Sequence, residues 1–377
     1  MIADVGTGWK QQKDDKICRC IEKALWGKTT GKPHLEVPMN EKRVGKRTIA
    51  LSQPPSVRSC AAVGGRHEGA GPLGAYFDYL DKDSFFGQKT WEKAESAMQK
   101  KALQTALDKA GLKPTDLDYV LGGDLLNQCI GSSFGLRDFG IPFYGLYGAC
   151  STMGESLSLA ALLIDGGYAD KAAAITSSHF CTAERQYRMP VPYGSQRPPT
   201  AQWTATASGC TILESRGEGP YITHVCCGKI VDQGITDANN MGAAMAPAAF
   251  DTLSAFFRDT GTSPKDYDLV LTGDLGKLGR EIVADLFQKS GVEMGENYQD
   301  CGLLLYDLES QDMHAGASGC GCSAGVLNGY LLPGLRNGKW KRILFAPTGA
   351  LLSPTSSFQG ESIPGICHAL CISAERG

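Results

Sequence analysis

An internal repeat restricts the folds that this sequence can adopt. The segments "KPTDLDYVLGGDL" (113–125) and "SPKDYDLVLTGDL" (263–275) match at eight of thirteen positions, at an offset of 150 residues. Each follows a helix-like segment that ends near a glycine, residues 91–111 in the first case and 249–261 in the second. Each then contains a short apolar run, "YVLGGD" or "LVLTGD", which is typical of a buried strand.

The segments that follow repeat in the same order. "GACSTMGESLSLAALLIDGG" (148–167) is similar to "GASGCGCSAGVLNGYLLPGL" (316–335), and "DKAAAITSS" is similar to "KWKRILFAPTG". Because a repeat of this length is too long for a solenoid unit, we predict two α/β half-molecules of the same topology. The predicted divisions are a polar N-terminal extension (1–45), a first half (46–213) and a second half (214–377).

Composition excludes several classes of protein. The 37 Lys and Arg residues nearly balance the 40 Asp and Glu residues, which argues against a nucleic-acid partner. No apolar run reaches the eighteen or so residues that a membrane-spanning helix needs. The N-terminus is polar, without the apolar segment of a signal peptide, and Met39 is an alternative start.

The 14 cysteines are interpreted as reduced thiols rather than as a disulfide framework. The sequence contains no Cys-x-x-Cys pair, and the pairs at 18/20 and 320/322 lack the spaced partners of a zinc site. We therefore predict neither a metal nor another cofactor.

Cys150 precedes an apolar helical pattern that begins at "STMGESLSLAALLI". A thiol at a helix start faces unpaired backbone N–H groups and the positive end of the helix dipole, which stabilise a thiolate. The same donors suit a carboxylate ligand. The alternative is that Cys150 is a small buried residue that packs, as free cysteines usually do.

Five segments carry a resemblance to a known family: "EGAGPLGAYFD" (68–78), "WEKAESAM" (91–98), "GGDLLNQ" (122–128), "YGACSTMGESL" (147–157) and "GSQRPPTAQWT" (194–204). Together they resemble the stage V sporulation protein AD family, a branch of the thiolase superfamily that also contains the ketoacyl synthases. The resemblance covers residues 46–377. It implies the thiolase-like, five-layered αβαβα fold made of two pseudo-symmetric halves, with Cys150 at the position of the thiolase nucleophile.

The resemblance also implies a function. Proteins of this family are expected to bind dipicolinic acid, pyridine-2,6-dicarboxylate, for its uptake into the developing spore. The implied partners are membrane-embedded sporulation channel subunits and a second copy of the chain, as in thiolase homodimers. The implied location is the forespore, peripheral to the inner spore membrane.

The sequence departs from the condensing enzymes at the positions that would activate a substrate. Gly273 and Asp274 stand where the synthases usually place a histidine, and Ala317 stands at the synthase asparagine. His314, in "HAGASG", is the residue that would assist Cys150, although this loop is one residue shorter than in thiolases. We therefore predict binding rather than catalysis. The alternative is an acyltransferase that acts on thioesters, with Cys150 as nucleophile and His314 as its partner.

The remaining candidates for the ligand site are polar residues near the predicted strand ends. Asp124 and Asn127 follow the first repeated strand, at the same end of the sheet as Cys150 if the fold is correct. Asp274, the repeat counterpart of Asp124, is interpreted as the cap of a turn or of the next helix. His179 follows another central strand and is a further candidate.

Positive charge for a dicarboxylate is expected from residues 183–204, interpreted as a loop because of its four prolines. Its candidates are Arg185, Arg188 and Arg197, since a guanidinium group can bind a carboxylate through two hydrogen bonds. Aromatic side chains in the same segment suit a flat ring. The alternative is a solvated loop that packs against the first half or a dimer partner.

Overall fold

The structure, a computed structural model, describes residues 42–187 and 197–376. Most of the predicted N-terminal extension and the candidate Arg188 lie outside these residues. The strands are β1 Thr48–Ala50, β2 Ser56–Gly64, β3 Tyr79–Leu80, β4 Tyr119–Gly123, β5 Phe143–Gly145, β6 Lys171–Ser178, β7 Trp203–Thr204, β8 Ala207–Glu214, β9 Tyr221–Cys226, β10 Leu269–Thr272, β11 Tyr298–Asp300, β12 Ala317–Ser318, β13 Arg342–Ala346, β14 Thr348–Ala350, β15 Gly365–Cys367 and β16 Ala369–Ser373.

The helices are distributed between these strands along the whole described chain. They are α1 Arg66–Ala70, α2 Trp91–Ala110, α3 Ile130–Leu136, α4 Thr152–Asp165, α5 Phe180–Tyr187, α6 Met241–Thr260, α7 Gly276–Lys289, α8 Cys301–Leu305, α9 Cys320–Val326, α10 Leu332–Arg336 and α11 Pro354–Phe358. A π-helical stretch, Leu327–Leu331, joins α9 to α10.

The strand order is the same in both parts of the chain. The first part runs β5-β4-β6-β8-β2 and the second runs β11-β10-β13-β16-β9. In each, the first two pairings are parallel and the last two are antiparallel. A pairing of Ser56 with Tyr221 joins the two sheets. The topology is therefore duplicated, while the exact boundary predicted at 213/214 stays a prediction.

The apolar side chains pack on both faces of each sheet because strand residues alternate in direction. In β10, Leu271 belongs to the cluster between the two sheets and Val270 to the outer cluster of the second sheet. In β6, Ala174 faces the central cluster, whereas Ile175 faces the outer cluster of the first sheet. Helices α2 and α3 cover the outer face of the first sheet, α4 and α9 lie between the two sheets, and α6 and α7 cover the outer face of the second sheet. The helices and sheets together form five layers.

The helices that cover the sheets end as the sequence indicated. Helix α2 ends at Ala110, and Gly111 follows with φ of 67°, which glycine adopts without the cost that a side chain would add. Helix α6 ends at Thr260 before Gly261, with φ of 66°. It begins at Met241, however, eight residues before the predicted segment, because Pro247 is accommodated within it.

The predicted loop at 183–204 is wrong over its first residues. Helix α5 continues to Tyr187, so that residues 183–187 are helical. The prolines that indicated a loop begin at residue 190, beyond this helix, and β7 occupies Trp203–Thr204.

The two halves are in close contact where β8 packs against α9. A methyl group added to Gly209 of β8 would lie 2.3 Å from the carbonyl oxygen of Ala324 in α9. We expect Gly209→Ala to lower the free energy of unfolding by about 1–3 kcal/mol, because the backbones must separate. Urea denaturation measures the change.

Gly145→Ala is the matched control, since the added methyl group meets no atom closer than 3.4 Å. Equal unfolding midpoints for the two variants would show that the halves are not packed as closely as this contact requires.

Candidate functional site

A cavity of about 30 Å³ lies at the start of α4. Its walls come from both halves of the chain, and its lining residues are Leu125, Tyr147, Ala149, Cys150, Ala183, Glu184, Tyr187, Thr204, Met241, Ser318, Ala350 and Leu352. The volume accommodates about two water molecules. Of the residues predicted to bind a ligand, the structure places Cys150 in this lining.

The turn that carries Cys150 is held by the two hydroxyl residues that follow it. The Ser151 hydroxyl donates to the Gly148 carbonyl (2.7 Å), and the Thr152 hydroxyl donates to the Ala149 carbonyl (2.6 Å). The Gly148 N–H in turn donates to the Thr152 hydroxyl (3.1 Å). Ala149 has φ of 50°, a left-handed conformation that costs a non-glycine residue about 1–2 kcal/mol. This conformation directs Cys150 to the cavity floor.

Cys150 lies close to the Asp274 carboxylate across the seam between the halves. Burial raises the pKa of the Cys150 thiol well above its ordinary value, and the Asp274 carboxylate raises it further. The side chain is 6% exposed. The thiol is therefore protonated at neutral pH, which is the opposite of what a thiolate nucleophile needs.

Asp274 joins three walls of the cavity. In addition to Cys150, its carboxylate accepts from the Thr348 hydroxyl (2.7 Å) and from the Gly319 N–H (3.4 Å). Thr348 lies in the strand that carries the lining residue Ala350, and Gly319 follows the lining residue Ser318. Asp274 is fully buried, and burial raises its pKa to about 7.

The interpretation of Asp274 as a local cap is wrong. Asp300, at the end of β11, caps that turn instead, by accepting from the N–H groups of Leu275 (3.0 Å) and Gly276 (2.9 Å). The Asp274 carboxylate is consequently free to reach elements from elsewhere in the chain. Asp274 is thus an acid whose charge acts on the thiol of the other half.

Asp124, unlike its repeat counterpart Asp274, binds groups that follow it closely in the chain. It accepts from the Leu126 N–H (2.8 Å) and from both the N–H (2.7 Å) and the hydroxyl (2.6 Å) of Ser132. It is fully buried and lies one residue before the lining residue Leu125. Burial and the Asp124 carboxylate raise the pKa of the nearby Glu95 to about 8. Asp124 therefore fixes the loop behind one wall of the cavity.

Asn127 follows this loop on the exposed surface, where its N–H donates to the Gln186 side chain (3.2 Å). His179 is buried on the other side of α5. Its Nδ1 accepts from the Cys181 N–H (3.1 Å), and its Nε2 hydrogen bonds to the Ser84 carbonyl (2.7 Å). Both side chains lie outside the cavity lining.

The two described arginine candidates bind acidic partners of the protein itself. Arg185 pairs with Glu92 and lies over the Trp91 ring. Arg197 pairs with Asp312 (3.2 Å) and lies over the Trp203 ring at 4.7 Å from its centre. The structure thus places neither guanidinium group in the cavity lining.

His314 also binds Asp312, which keeps it away from Cys150. Its Nε2 lies 3.1 Å from the Asp312 carboxylate, and its Nδ1 lies 3.0 Å from the Pro198 carbonyl. His314 is not one of the residues that line the cavity. Both ring nitrogens are engaged, so the general base that a condensing reaction needs is not brought to the thiol.

Two tyrosines close the cavity on the side of α5. The hydroxyl groups of Tyr147 and Tyr187 lie 2.8 Å apart, and the Tyr187 hydroxyl donates to the Leu125 carbonyl (2.5 Å). Burial raises the pKa of Tyr147 to about 12, so that it is protonated at neutral pH. Tyr147 lies three residues before Cys150 in the sequence. That proximity is the sequence signal that could have indicated Tyr147 as a residue of the cavity lining.

The charge of the described lining is unusual for an anion site. Glu184 is the titratable carboxylate of the lining, and none of the twelve described lining residues is a lysine, arginine or histidine. The residues at 42–187 and 197–376 contain no cluster of histidines, cysteines and acids suited to a metal ion. In the same ranges, no helix combines the length and hydropathy needed to cross a membrane.

Comparison with known proteins identifies the family to which the chain belongs. A family profile described as "Stage V sporulation protein AD" matches residues 45–373. The curated protein "Stage V sporulation protein AD" of Bacillus subtilis (strain 168) is 44% identical over 329 residues, which cover 87% of this chain and 97% of that protein.

Solved structures with this fold are much more distant in sequence. Human mitochondrial 3-ketoacyl-CoA thiolase has a TM-score of 0.53 at 12% identity, covering 86% of this chain and 99% of that one. 3-Oxoacyl-(acyl carrier protein) synthase III from Pseudomonas aeruginosa PAO1 has a TM-score of 0.53 at 13% identity, covering 85% and 98%. These similarities confirm the thiolase-like fold and say nothing about activity.

The protonation of Cys150 is testable by alkylation. At pH 8 we expect iodoacetamide to label the exposed Cys227 at least about tenfold faster than Cys150, because the thiolate is the reactive form. Peptide mass spectrometry measures both rates in the same sample.

Asp274→Asn removes the carboxylate that raises the pKa of Cys150, and we expect it to speed labelling of Cys150 while leaving Cys227 unchanged. Labelling of Cys150 ahead of Cys227 at pH 7 in the unmodified protein would contradict a neutral thiol.

Proposed function

The chain belongs to the stage V sporulation protein AD family, and on that premise we propose that it binds dipicolinic acid in the cavity at Cys150. The protein has a role in sporulation. We propose that this role is the uptake of dipicolinate into the developing spore. The observation that carries the proposal is the burial of Cys150 beside Asp274 at the cavity, which raises the pKa of the thiol, keeps it neutral and makes the site suited to binding rather than to acyl transfer.

The lining supplies apolar surface and hydrogen-bond donors for an aromatic dicarboxylate, although it contains the carboxylate of Glu184 and no basic residue. Leu125, Met241 and Leu352 supply apolar surface for the faces of a ring. Hydroxyl groups of Thr204 and Ser318, with the Cys150 thiol, supply hydrogen-bond donors for carboxylate oxygens. The positive end of α4 adds a favourable field at the same place.

Binding requires the cavity to widen. A pyridine ring with two carboxylates is several times larger than the two water molecules that a volume of about 30 Å³ accommodates. The Tyr147 side chain is 43% exposed and is held by one hydroxyl contact to Tyr187. We propose that the ligand displaces Tyr147 toward solvent and stacks against one of the two rings.

Uptake requires further proteins, because dipicolinate is a dianion at neutral pH. Moving a charged group through the hydrocarbon core of a membrane is energetically costly. A protein that delivers this ligand must therefore pass it to a conducting protein. We propose membrane-embedded sporulation channel subunits as those partners and a peripheral position at the inner spore membrane as the site of action.

A second copy of the chain is proposed at the edge of the first sheet. Strand β5 ends the sheet, and all three of its residues are exposed. Phe143 and Tyr144 of this strand are exposed, and so are Ile130 and Phe134 of α3. An unpaired strand edge with exposed apolar side chains is a template for pairing with another strand, and pairing with a symmetry-related β5 would cover both features.

Calorimetry with dipicolinate tests the proposed ligand. We expect saturable binding by the unmodified protein and at least about tenfold weaker binding by Cys150→Ala, which loses a donor at the cavity floor. Cys227→Ala is the matched control, since Cys227 is exposed and outside the cavity lining. Equal affinities for all three proteins would reject the cavity as the binding site.

Two related ligands refine the same experiment. Benzene-1,3-dicarboxylate keeps both carboxylates and lacks the ring nitrogen, whereas pyridine-2-carboxylate keeps the nitrogen and one carboxylate.

Incubation with acyl-CoA followed by intact mass measurement is the complementary test, and we expect no thioester adduct on Cys150.

The oligomeric state tests the role of β5. We expect Tyr144→Lys to shift the protein from dimer to monomer in light scattering after size-exclusion chromatography, because it puts two like charges at a symmetric interface. Phe358→Lys, at an 82% exposed position in α11, is the control and should leave the dimer intact. A monomeric unmodified protein at micromolar concentration, or a dimer that Tyr144→Lys does not affect, would reject this interface.

A further inference from the structure

Asp274 is a buried acid beside the cavity, and it is not one of the residues that line the cavity. We propose that Asp274 takes up one proton from solvent when a dicarboxylate occupies the cavity at Cys150, so that ligand binding is coupled to proton uptake. This rests on the proposed function for the identity of the site and adds how the site compensates the charge of its ligand.

The geometry places Asp274 directly behind the donor that faces the ligand. Its carboxylate is close enough to the Cys150 thiol to raise the pKa of that thiol, and Cys150 lines the cavity. Thr348 and Gly319 hold the same carboxylate from the other two walls. Asp274 is fully buried, so water cannot screen its charge from an anion on the other side of the thiol.

The groups that face Asp274 offer it little opposite charge. From the start of α4 comes Cys150, from the end of β11 comes Asp300, and from the start of α8 comes Cys301. The other thiols in its field are those of Cys320 and Cys322 in α9, and Cys367 in β15. Burial raises the pKa of each of these thiols, so they are neutral at pH 7.

Asp300 is the nearby group that carries charge at neutral pH. Burial raises its pKa to about 6, so that it is mostly ionised at pH 7 and disfavours ionisation of Asp274. Since burial raises the pKa of Asp274 to about 7, a further negative charge at Cys150 must favour its protonated form.

Proton uptake also changes which group the thiol donates to. In the free protein, the Cys150 S–H donates to the ionised Asp274. A proton from solvent converts Asp274 to a carboxylic acid, whose O–H can donate to the Cys150 sulfur. The S–H then turns to a carboxylate oxygen of the ligand. No covalent bond to carbon forms or breaks, and the balance is one ligand and one proton bound.

The linkage gives the direction of the pH dependence. Below about pH 7 Asp274 is already protonated, so binding takes up little proton and the affinity is nearly constant. Above pH 7 the free protein has an ionised Asp274, and each pH unit then lowers the affinity about tenfold until the pKa of the complex is reached. The ligand does not contribute to this change, because carboxylic acids ionise near pH 4.

Calorimetry with dipicolinate at pH 6, 7 and 8, in two buffers of different ionisation enthalpy at each pH, counts the protons taken up. For the unmodified protein we expect a count near zero at pH 6 that approaches one at pH 8, with an affinity about fivefold weaker at pH 8 than at pH 7. For Asp274→Asn we expect no uptake and an affinity independent of pH.

Glu184 is the alternative group that could take up the proton, because it lines the same cavity. In Glu184→Gln we expect proton uptake to persist. Uptake that is lost in Glu184→Gln and retained in Asp274→Asn would overturn the assignment. If Asp274→Asn does not fold, Thr348→Val replaces it: loss of that hydrogen bond raises the pKa of Asp274, so the pH at which affinity begins to fall should move upward.

The two proposals fail in different ways. Absence of binding by the unmodified protein at every pH would reject the proposed ligand. Tight binding with no proton uptake at pH 8 would overturn the role of Asp274 and leave the ligand assignment standing.

Discussion

The burial of Cys150 beside Asp274 determines what the site can do. The contact joins the start of a first-half helix to the end of a second-half strand, and burial together with the Asp274 carboxylate keeps the thiol that faces the cavity protonated. The two positions belong to different halves of the chain. Because the second position carries an acid, the same geometry that could activate a nucleophile instead keeps the sulfur protonated.

The duplicated topology explains why the two strand ends meet. Each half places a Gly-Asp pair at the end of its second strand in the sheet path, Asp124 in one and Asp274 in the other. The two acids have diverged in their contacts. The Asp124 carboxylate accepts hydrogen bonds from Leu126 and Ser132, which follow it in the chain. In the second half, Asp300 accepts the corresponding hydrogen bond from Leu275 in place of Asp274. The repeat therefore places the two acids at equivalent strand ends, and the capping of the turn that follows each strand determines which acid reaches the cavity.

The fold was predictable from the sequence because it depends on periodic patterns and on a long repeat. The strands around residues 119–124 and 269–274, the helix ends at Gly111 and Gly261, and the five-layered arrangement are all confirmed. The extent of α6 was not predictable in this way, since the pattern gave no indication that Pro247 would be tolerated inside a helix.

The site was only partly predictable, because its contacts join residues that are distant in the sequence. Cys150 could be located from its own helix start, whereas Asp274 meets partners 74 positions away at Thr348 and across the halves at Cys150. Arg197 and His314 illustrate the converse. Their side-chain types suit an anion or a catalytic base, yet both are engaged by Asp312, a residue with no signal of that role.

A crystal structure of the protein with dipicolinate tests the central claim most directly. A site that binds through a neutral thiol predicts a ligand carboxylate oxygen within about 3.5 Å of the Cys150 sulfur, with the carboxyl group of Asp274 still bonded to Thr348. A ligand bound elsewhere, with the cavity at Cys150 unchanged, would contradict it.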